Sequence, residues 1–199
     1  MNKQFEAVVI GSSAGGIRAL STVLSALPSE FPLPIIIVQH LHPNSDSYLA
    51  RILEAKCGLK VKQADEKETI ADGVVYIAPP NYHLLVEDDR SFSLSIEGPV
   101  NFARPSVDVL FETAIYAYRD RIIGIILTGA NNDGSQGLKK IKQIGGYVIV
   151  QDPTTAEADA MPKAAINITK VDKVLPLEQI GPYLLQLVNR SRKRYHYRI

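Results

Sequence analysis

Three residue types that together carry out nucleophilic catalysis follow three apolar segments of this chain. Ser13 follows a short apolar run closed by a glycine, His40 ends a β-branched run, and Asp133 comes shortly after a third apolar run. A histidine can remove the proton of a serine hydroxyl, and a carboxylate can hold the imidazole in the required tautomer. The elements that carry these residues decide whether the three side chains meet.

Each of the three residues also has an ordinary structural interpretation. Ser13 could cap a helix, His40 could be a strand-end residue with structural partners, and Asp133 before Gly134 could start a helix after a loop. Three triad types at three strand ends favour the catalytic interpretation. The chain order Ser, His, Asp is no objection, because geometry defines a triad.

The glycine-rich segment around Ser13 does not fit the common nucleotide-binding motifs. Ser13 stands where a dinucleotide fingerprint needs glycine, and Ile17 and Arg18 stand where a P-loop needs Lys and Ser or Thr. A serine on a tight turn between a strand and a helix is similar in logic to a nucleophile elbow.

Backbone amides near these residues are candidates for stabilising an oxyanion. N–H groups at the start of a helix have no partner within the helix and favour negative charge. We expect the donors at Ala14 and Gly15, with a second donor at Gly129, Ala130 or Asn131.

Alternating apolar runs and helical periodicities predict the fold class. The chain reads as α/β, with a doubly wound, mostly parallel sheet and an inserted antiparallel hairpin between residues 82 and 96. Ligands of such sheets bind beyond the carboxyl ends of the strands, where all three candidate residues are expected.

Composition limits the remaining possibilities. The chain has 199 residues, 22 Lys and Arg against 21 Asp and Glu, and 46% hydrophobic residues, which predicts one domain over residues 1–199 with a basic tail at about 189–199. A net charge of +1 gives no bulk reason to expect nucleic acid as a partner. No segment has the length of a membrane span, and the single cysteine, Cys57, fits a reducing compartment, so we expect a cytoplasmic protein without membrane insertion.

A metal site is the main alternative at the second strand end. His40 and His42 form a plausible ligand pair, to which Asp133 and His83 could add. Pro43 places His42 in a loop and the chain has no second cluster of ligand types. We therefore predict no metal.

Six motifs in order resemble the catalytic domain of the CheB chemotaxis protein-glutamate methylesterases, from about residue 6 to residue 188. They are residues 10–16 (IGSSAGG), 38–40 (VQH), 76–79 (YIAP), 104–111 (RPSVDVLF), 127–129 (LTG) with 132–134 (NDG), and 161–162 (MP).

The resemblance implies hydrolysis of γ-glutamyl methyl esters on the cytoplasmic domain of methylated chemoreceptors, with release of methanol and, in some members, deamidation of glutamines. It implies no cofactor. Residue by residue, it places the nucleophile on Ser13, the base on His40 and the acid on Asp133. The candidates that it suggests for lining the substrate site are Arg104, Ser106 and Met161.

Two other functions stay open at this point. The chain could be a catalytically silent docking module of a signalling protein, or an esterase or amidase for small molecules. A docking role places no demand on Ser13, His40 and Asp133 together, so the presence of all three argues against it.

The chain departs from the family pattern in two places. The loop after Thr128 reads Gly129-Ala130-Asn131, where the family usually has Gly-Met-Gly, and Asn is the least costly replacement if the last glycine has a positive φ. Family members usually carry a receiver domain before the esterase, whereas here the esterase pattern starts at residue 6, which predicts a domain without a receiver.

Overall fold

A computed structural model describes residues 4–41 and 48–196, with side chains as far as Arg192. The strands are β1 (Ala7–Ser12), β2 (Ile35–Gln39), β3 (Lys60–Gln63), β4 (Val74–Ile77), β5 (His83–Val86), β6 (Phe92–Ser95), β7 (Ile122–Ile126), β8 (Tyr147–Gln151) and β9 (Lys173–Leu175). The α-helices are α1 (Gly16–Ser25), α2 (Tyr48–Glu54), α3 (Val107–Tyr118), α4 (Ser135–Gln143), α5 (Ala160–Ile168) and α6 (Leu177–His196).

The central strands are apolar on both faces because helices cover the sheet from both sides. Every residue of β1, β2 and β7 is buried. Successive side chains of a strand point to opposite faces, so Val8 packs in a cluster with α1, α2 and α6, whereas Val9 packs in a cluster with α3, α4, α5 and the hairpin.

Seven parallel strands form the main sheet in the order β3-β4-β2-β1-β7-β8-β9. Strands β2, β3 and β4 lie on one side of β1, and β7, β8 and β9 lie on the other side. The boundary between β1 and β7 is therefore the point where the strand order reverses, and ligands of open α/β sheets bind at such a point. The predicted fold class is confirmed.

The predicted hairpin is also confirmed, and it forms a separate two-stranded antiparallel sheet of β5 and β6. It packs on α3, where the amide of Val86 donates to the hydroxyl of Thr113 at 3.1 Å. The aromatic rings of Tyr76 in the main sheet and Phe92 in the hairpin pack edge to face, with their centroids 4.9 Å apart. These contacts fix the position of α3, whose first turn lies at the candidate site.

One strand and the start of one helix differ from what the sequence predicts. Strand β3 lies at an edge and buries only Val61, so it lacks the apolar run that identifies interior strands. Helix α4 begins at Ser135, which leaves Asp133 in the loop before it. Helix α6 continues to His196, and the basic tail at about 189–199 stays a prediction.

Among the described residues, no helix combines the length and the apolar character that crossing a bilayer requires. The prediction of one domain over residues 1–199 stays a prediction.

Helices α3 and α4 approach each other closely at Gly137. A Cβ atom on Gly137 would lie 2.6 Å from the Cβ of Phe111, which belongs to a fully buried side chain and cannot turn away. Alanine normally improves a helix by about 0.8–1 kcal/mol over glycine, whereas overpacking costs about 1–3 kcal/mol. We predict that Gly137→Ala lowers the free energy of unfolding by about 1–2 kcal/mol, measured by denaturant titration.

Gly98→Ala is the matched control, since a Cβ atom there meets nothing within 4 Å. Its free energy of unfolding should stay within about 0.5 kcal/mol of the parent protein. An increase in stability for Gly137→Ala would show that the two helices can separate without cost.

Candidate active site

Ser13 lies in the tight turn between β1 and α1. The amide of Ser13 donates to the carbonyl of Thr128 at 2.9 Å, and the amide of Gly16 donates to the carbonyl of Ser13 at 2.9 Å. Gly15 has φ +75°, a conformation that favours glycine. The turn therefore holds Ser13 half-buried at the carboxyl end of β1, and its hydroxyl makes no hydrogen bond to any described residue.

A buried glutamine ties the ends of β1 and β2 together. The hydroxyl of Ser12 donates to Oε1 of Gln39 at 2.7 Å. The Nε2 of Gln39 donates to the carbonyls of Ser13 and His40, each at 2.8 Å. Sequence analysis assigned Gln39 no role, although a polar residue at the end of a fully apolar strand was a usable signal.

His40 lies at the carboxyl end of β2 and contacts Asp133. The two side chains meet through Nε2 of His40 and Oδ2 of Asp133 at 2.9 Å. The exposed fraction is 14% for the His40 side chain and 0% for the Asp133 side chain. Because Nε2 faces the carboxylate, Nδ1 is the ring nitrogen left to act as a base.

The structure places Ser13 and His40 in the same cleft. The cleft has a volume of about 730 Å³ and is open to solvent. Its walls come from the start of α1, the segments after β2 and α2, and the loop before α5, including Arg18, Lys56 and Glu157.

Asp133 is held by six hydrogen-bond donors. Its Oδ1 accepts from the Ser106 hydroxyl at 2.8 Å, Nδ2 of Asn101 at 3.0 Å, and the amides of Gly134 at 3.0 Å and Asp108 at 3.2 Å, while Oδ2 accepts from His40 at 2.9 Å and from the amide of Val107 at 2.7 Å. Two of these amides are the first of α3, so Asp133 caps that helix from another segment and lies at its positive end.

Two opposing effects set the pKa of Asp133. Burial acts to raise the pKa, but the hydrogen bonds from His40, Asn101, Val107 and Ser106 outweigh burial, and the pKa lies below the usual range of an aspartate. Asp133 is therefore ionised at neutral pH and can accept a proton-bearing nitrogen of His40.

A second buried carboxylate lies beside the first. Burial raises the pKa of Asp108, and the nearby charge of Asp133 raises it further. The amide of Gly137 donates to Oδ1 of Asp108 at 2.7 Å, and Nδ2 of Asn101 donates to Oδ2 at 2.7 Å. Asn101 thus bridges the two carboxylates, a role that nothing in its sequence context indicated.

The three candidates for lining the substrate site all form hydrogen bonds with other parts of the protein. Ser106 is fully buried and donates to Asp133, and Met161 is 1% exposed, with its amide donating to the carbonyl of Gly129 at 2.9 Å. The guanidinium of Arg104 donates to Oδ1 of Asn81 and to the carbonyls of residues 96 and 97. These contacts show that the three residues hold loops and the carboxylate in position, and their role in lining the substrate site stays a prediction.

The backbone amides at the turn agree in part with their expected role. The backbone N–H groups of Ala14, Gly15, Ala130 and Asn131 donate no hydrogen bond to a described residue. The amide of Gly129 donates to the carbonyl of Ala158 at 2.9 Å, so Gly129 is not a free donor. Asn131 does not have a positive φ, so the loop needs no glycine there.

The metal alternative gains no support from the described residues. Within residues 4–41 and 48–196, no group of three or more His, Cys, Asp or Glu residues is arranged to hold a metal ion. His83 uses both ring nitrogens, with Nε2 3.0 Å from the carbonyl of Gly98 and Nδ1 3.2 Å from the amide of Ser106. His42 lies outside the described residues.

Comparisons with known proteins agree on one family. A sequence model described as CheB methylesterase matches residues 8–184. A Leptospira interrogans protein, whose name describes a protein-glutamate methylesterase/protein-glutamine glutaminase, is 58% identical over 183 residues, which are 92% of this chain and 95% of that protein. A Caulobacter vibrioides protein with the corresponding name is 40% identical over 90% of this chain but only 53% of its own length.

The fold comparison gives the same result. The crystal structure of the Thermotoga maritima CheB methylesterase catalytic domain matches with a TM-score of 0.88 and 39% sequence identity, covering 93% of this chain and 100% of that one. Sequence and fold similarity at these levels extend over nearly the whole chain, and the chain therefore belongs to the CheB methylesterase family.

Proposed function

We propose that this chain is a serine hydrolase that removes methyl esters from glutamate side chains of chemoreceptors, with glutamine deamidation as a second reaction. The observation that carries the proposal is the pairing of His40, which lines the same cleft as Ser13, with a fully buried, ionised Asp133. The names of the relatives supply the substrate class.

The reaction begins at Ser13. Nδ1 of His40 takes the proton of the Ser13 hydroxyl while the serine oxygen attacks the ester carbonyl carbon. The carbonyl oxygen becomes an oxyanion. The amides of Ala14 and Gly15 directly follow Ser13 in the chain and are its proposed hydrogen-bond donors. The ionised Asp133 stabilises the imidazolium that forms.

Collapse of the tetrahedral intermediate breaks the bond between the carbonyl carbon and the methoxy oxygen. His40 returns its proton to that oxygen, and methanol leaves. Water then attacks the acyl-serine with His40 again as base, which releases the glutamate side chain and restores Ser13. A glutamine would follow the same path with ammonia as the leaving group.

The shape of the site favours a protein side chain over a diffusible ester. The cleft of about 730 Å³ lies at the open edge of the sheet, where a glutamyl side chain on a helix can enter from above. A small ester would lack the contacts outside the cleft that hold a protein substrate in place. The chain's single cysteine and the location of the receptor helices that the resemblance implies support a cytoplasmic site of action.

Methanol release from methylated receptor fragments tests the proposed function. We predict release from the receptor fragment at a kcat/KM at least about tenfold above that for small glutamate methyl esters, because the contacts outside the cleft contribute binding energy. A chelator should leave both rates unchanged. Efficient hydrolysis of small esters alone would favour the small-molecule esterase, and no hydrolysis of either would favour the docking module. Activity lost to chelator and restored by zinc would favour a metal site at His40 and His42.

Ser13→Ala should lower the methanol release rate by about 10⁴-fold or more, because the nucleophile is lost. Folding should be unaffected, since Ser13 is half-buried and its hydroxyl has no described partner. Ser25→Ala is the control, because Ser25 is exposed and its hydroxyl donates only to a carbonyl of its own helix. Ser12→Ala is unsuitable, since it would leave Oε1 of Gln39 buried without its donor. Wild-type turnover by Ser13→Ala would rule out Ser13 as the nucleophile.

Asp133→Asn should lower the methanol release rate by about 10⁴-fold, because an amide no longer stabilises the imidazolium. It should also lower the free energy of unfolding by about 1–3 kcal/mol, since the new –NH₂ group of the asparagine would face donors whose hydrogen bonds the carboxylate accepts in the parent. The exposed Asp88→Asn is the control. A catalytic rate within tenfold of the parent would contradict the role of Asp133.

The difference in free energy of unfolding between the parent chain and Asp133→Asn should depend on pH. The folded-state pKa of Asp133 is depressed, so its contribution is complete above the unfolded value of about 3.9 and is lost as pH falls through the folded value. Denaturant titrations of the parent and Asp133→Asn should therefore converge in acid.

A further inference from the structure

Asn131 completes a closed ring of hydrogen bonds with His40 and Asp133. The amide of Asp133 donates to Oδ1 of Asn131 at 3.1 Å. Nδ2 of Asn131 lies 3.3 Å from Nδ1 of His40. Nε2 of His40 lies 2.9 Å from Oδ2 of Asp133, which returns the ring to its starting residue.

Each donor in this ring is determined by chemistry. A backbone amide can only donate, so the Asn131 atom that faces Asp133 must be the oxygen, and its –NH₂ group must face His40. The ionised Asp133 can only accept, so Nε2 of neutral His40 carries the hydrogen. Nδ1 of His40 is then a bare nitrogen that accepts from Asn131.

We propose that Asn131 is a positioning residue for His40. Its –NH₂ group holds the bare Nδ1 of His40 in place in the resting enzyme and opposes protonation of that nitrogen before Ser13 reacts. The inference rests on the proposed function, in which Nδ1 is the base. In the structure Ser13 makes no hydrogen bond to a described residue, whereas Nδ1 is already paired with Asn131.

The donor must give way during the reaction. When the proton of Ser13 moves to Nδ1, an N–H on the ring meets the –NH₂ group of Asn131, and two donors face each other. The carboxamide then turns away, and the new N–H is free to return its proton to the leaving methoxy oxygen. Removing the carboxamide therefore makes protonation of His40 easier in the free enzyme.

Other charged groups near His40 do not replace this contact. Asp133 is its only bonded carboxylate among the described residues, and Asp108 lies behind Asp133. Arg18, Lys56 and Glu157 line the same cleft without an ion pair to His40. Variants at Asn131 leave all of these groups in place.

The test compares Asn131→Ala and Asn131→Asp with the parent chain by ¹⁵N NMR of the His40 ring, assigned by its loss in His40→Gln. We expect the parent to show hydrogen on Nε2 in the neutral form. The titration midpoint of His40 should rise in Asn131→Ala and rise further, by about one pH unit, in Asn131→Asp, whose carboxylate favours the imidazolium. Asn189→Asp adds the same charge at an exposed position on α6 and should leave the midpoint unchanged.

Turnover of methylated receptor fragments supplies the second measurement. The acid limb of the kcat profile should move to higher pH by the same amount as the NMR midpoint in each variant, while KM changes less than about twofold. A purely structural role would scale the rate at every pH alike. Hydrogen on Nδ1 in the neutral parent, or an unchanged midpoint in Asn131→Ala, would overturn the inference.

The two measurements separate the inference from the proposed function. Shifted midpoints in a chain that does not demethylate receptor fragments would mean that the hydrogen-bond ring exists but the proposed function is wrong. Receptor demethylation with unshifted midpoints would mean that the proposed function is right and the role of Asn131 is wrong.

Discussion

The site depends on one requirement: the buried carboxylate of Asp133 must obtain from the protein the hydrogen bonds that water would otherwise supply. Removing a charge from water costs several kcal/mol unless hydrogen bonds replace the lost hydration. Asp133 meets this demand with six donors from four parts of the chain: the start of α3 with the residue before it, the loop around Asn101, the end of β2 and the adjacent amide of Gly134. The same donors that stabilise the charge also fix its position, so the histidine beside it has one preferred orientation.

The two halves of the sheet contribute different parts of the site. Strands β1 and β2 carry Ser13 and His40, and the segment after β7 carries Asp133. Because β1 and β7 are neighbours where the strand order reverses, the segments after them meet at one edge of the sheet, where the amide of Ser13 donates to the carbonyl of Thr128. Helix α3 and the hairpin pack over the far face and bring the capping amides to Asp133. A site assembled from both halves depends on the packing of the whole sheet.

The sequence predicts the elements that have one dominant signal, and it does not predict the contacts that depend on two distant segments. Continuous apolar runs predict β1, β2 and β7, and position at the strand ends predicts that Ser13, His40 and Asp133 lie close together. In the structure His40 contacts Asp133 and lines the same cleft as Ser13. Edge strand β3 escaped because an edge needs few buried residues. The motif containing Arg104 and Ser106 was recognised, but its contacts were not, because a polar residue's partner is set by loops that no periodicity describes. Asn131 was considered only for its backbone for the same reason.

Gln39 has a consequence for how the site moves. Its carboxamide spans the carbonyls of Ser13 and His40 and is itself held by Ser12, so the ends of β1 and β2 form one mechanical unit. Thermal displacement of either strand end carries the other with it. The distance between the two strand ends therefore varies less than the position of either end relative to the rest of the protein. When a large substrate displaces this edge of the sheet, Ser13 and His40 move together and keep their alignment.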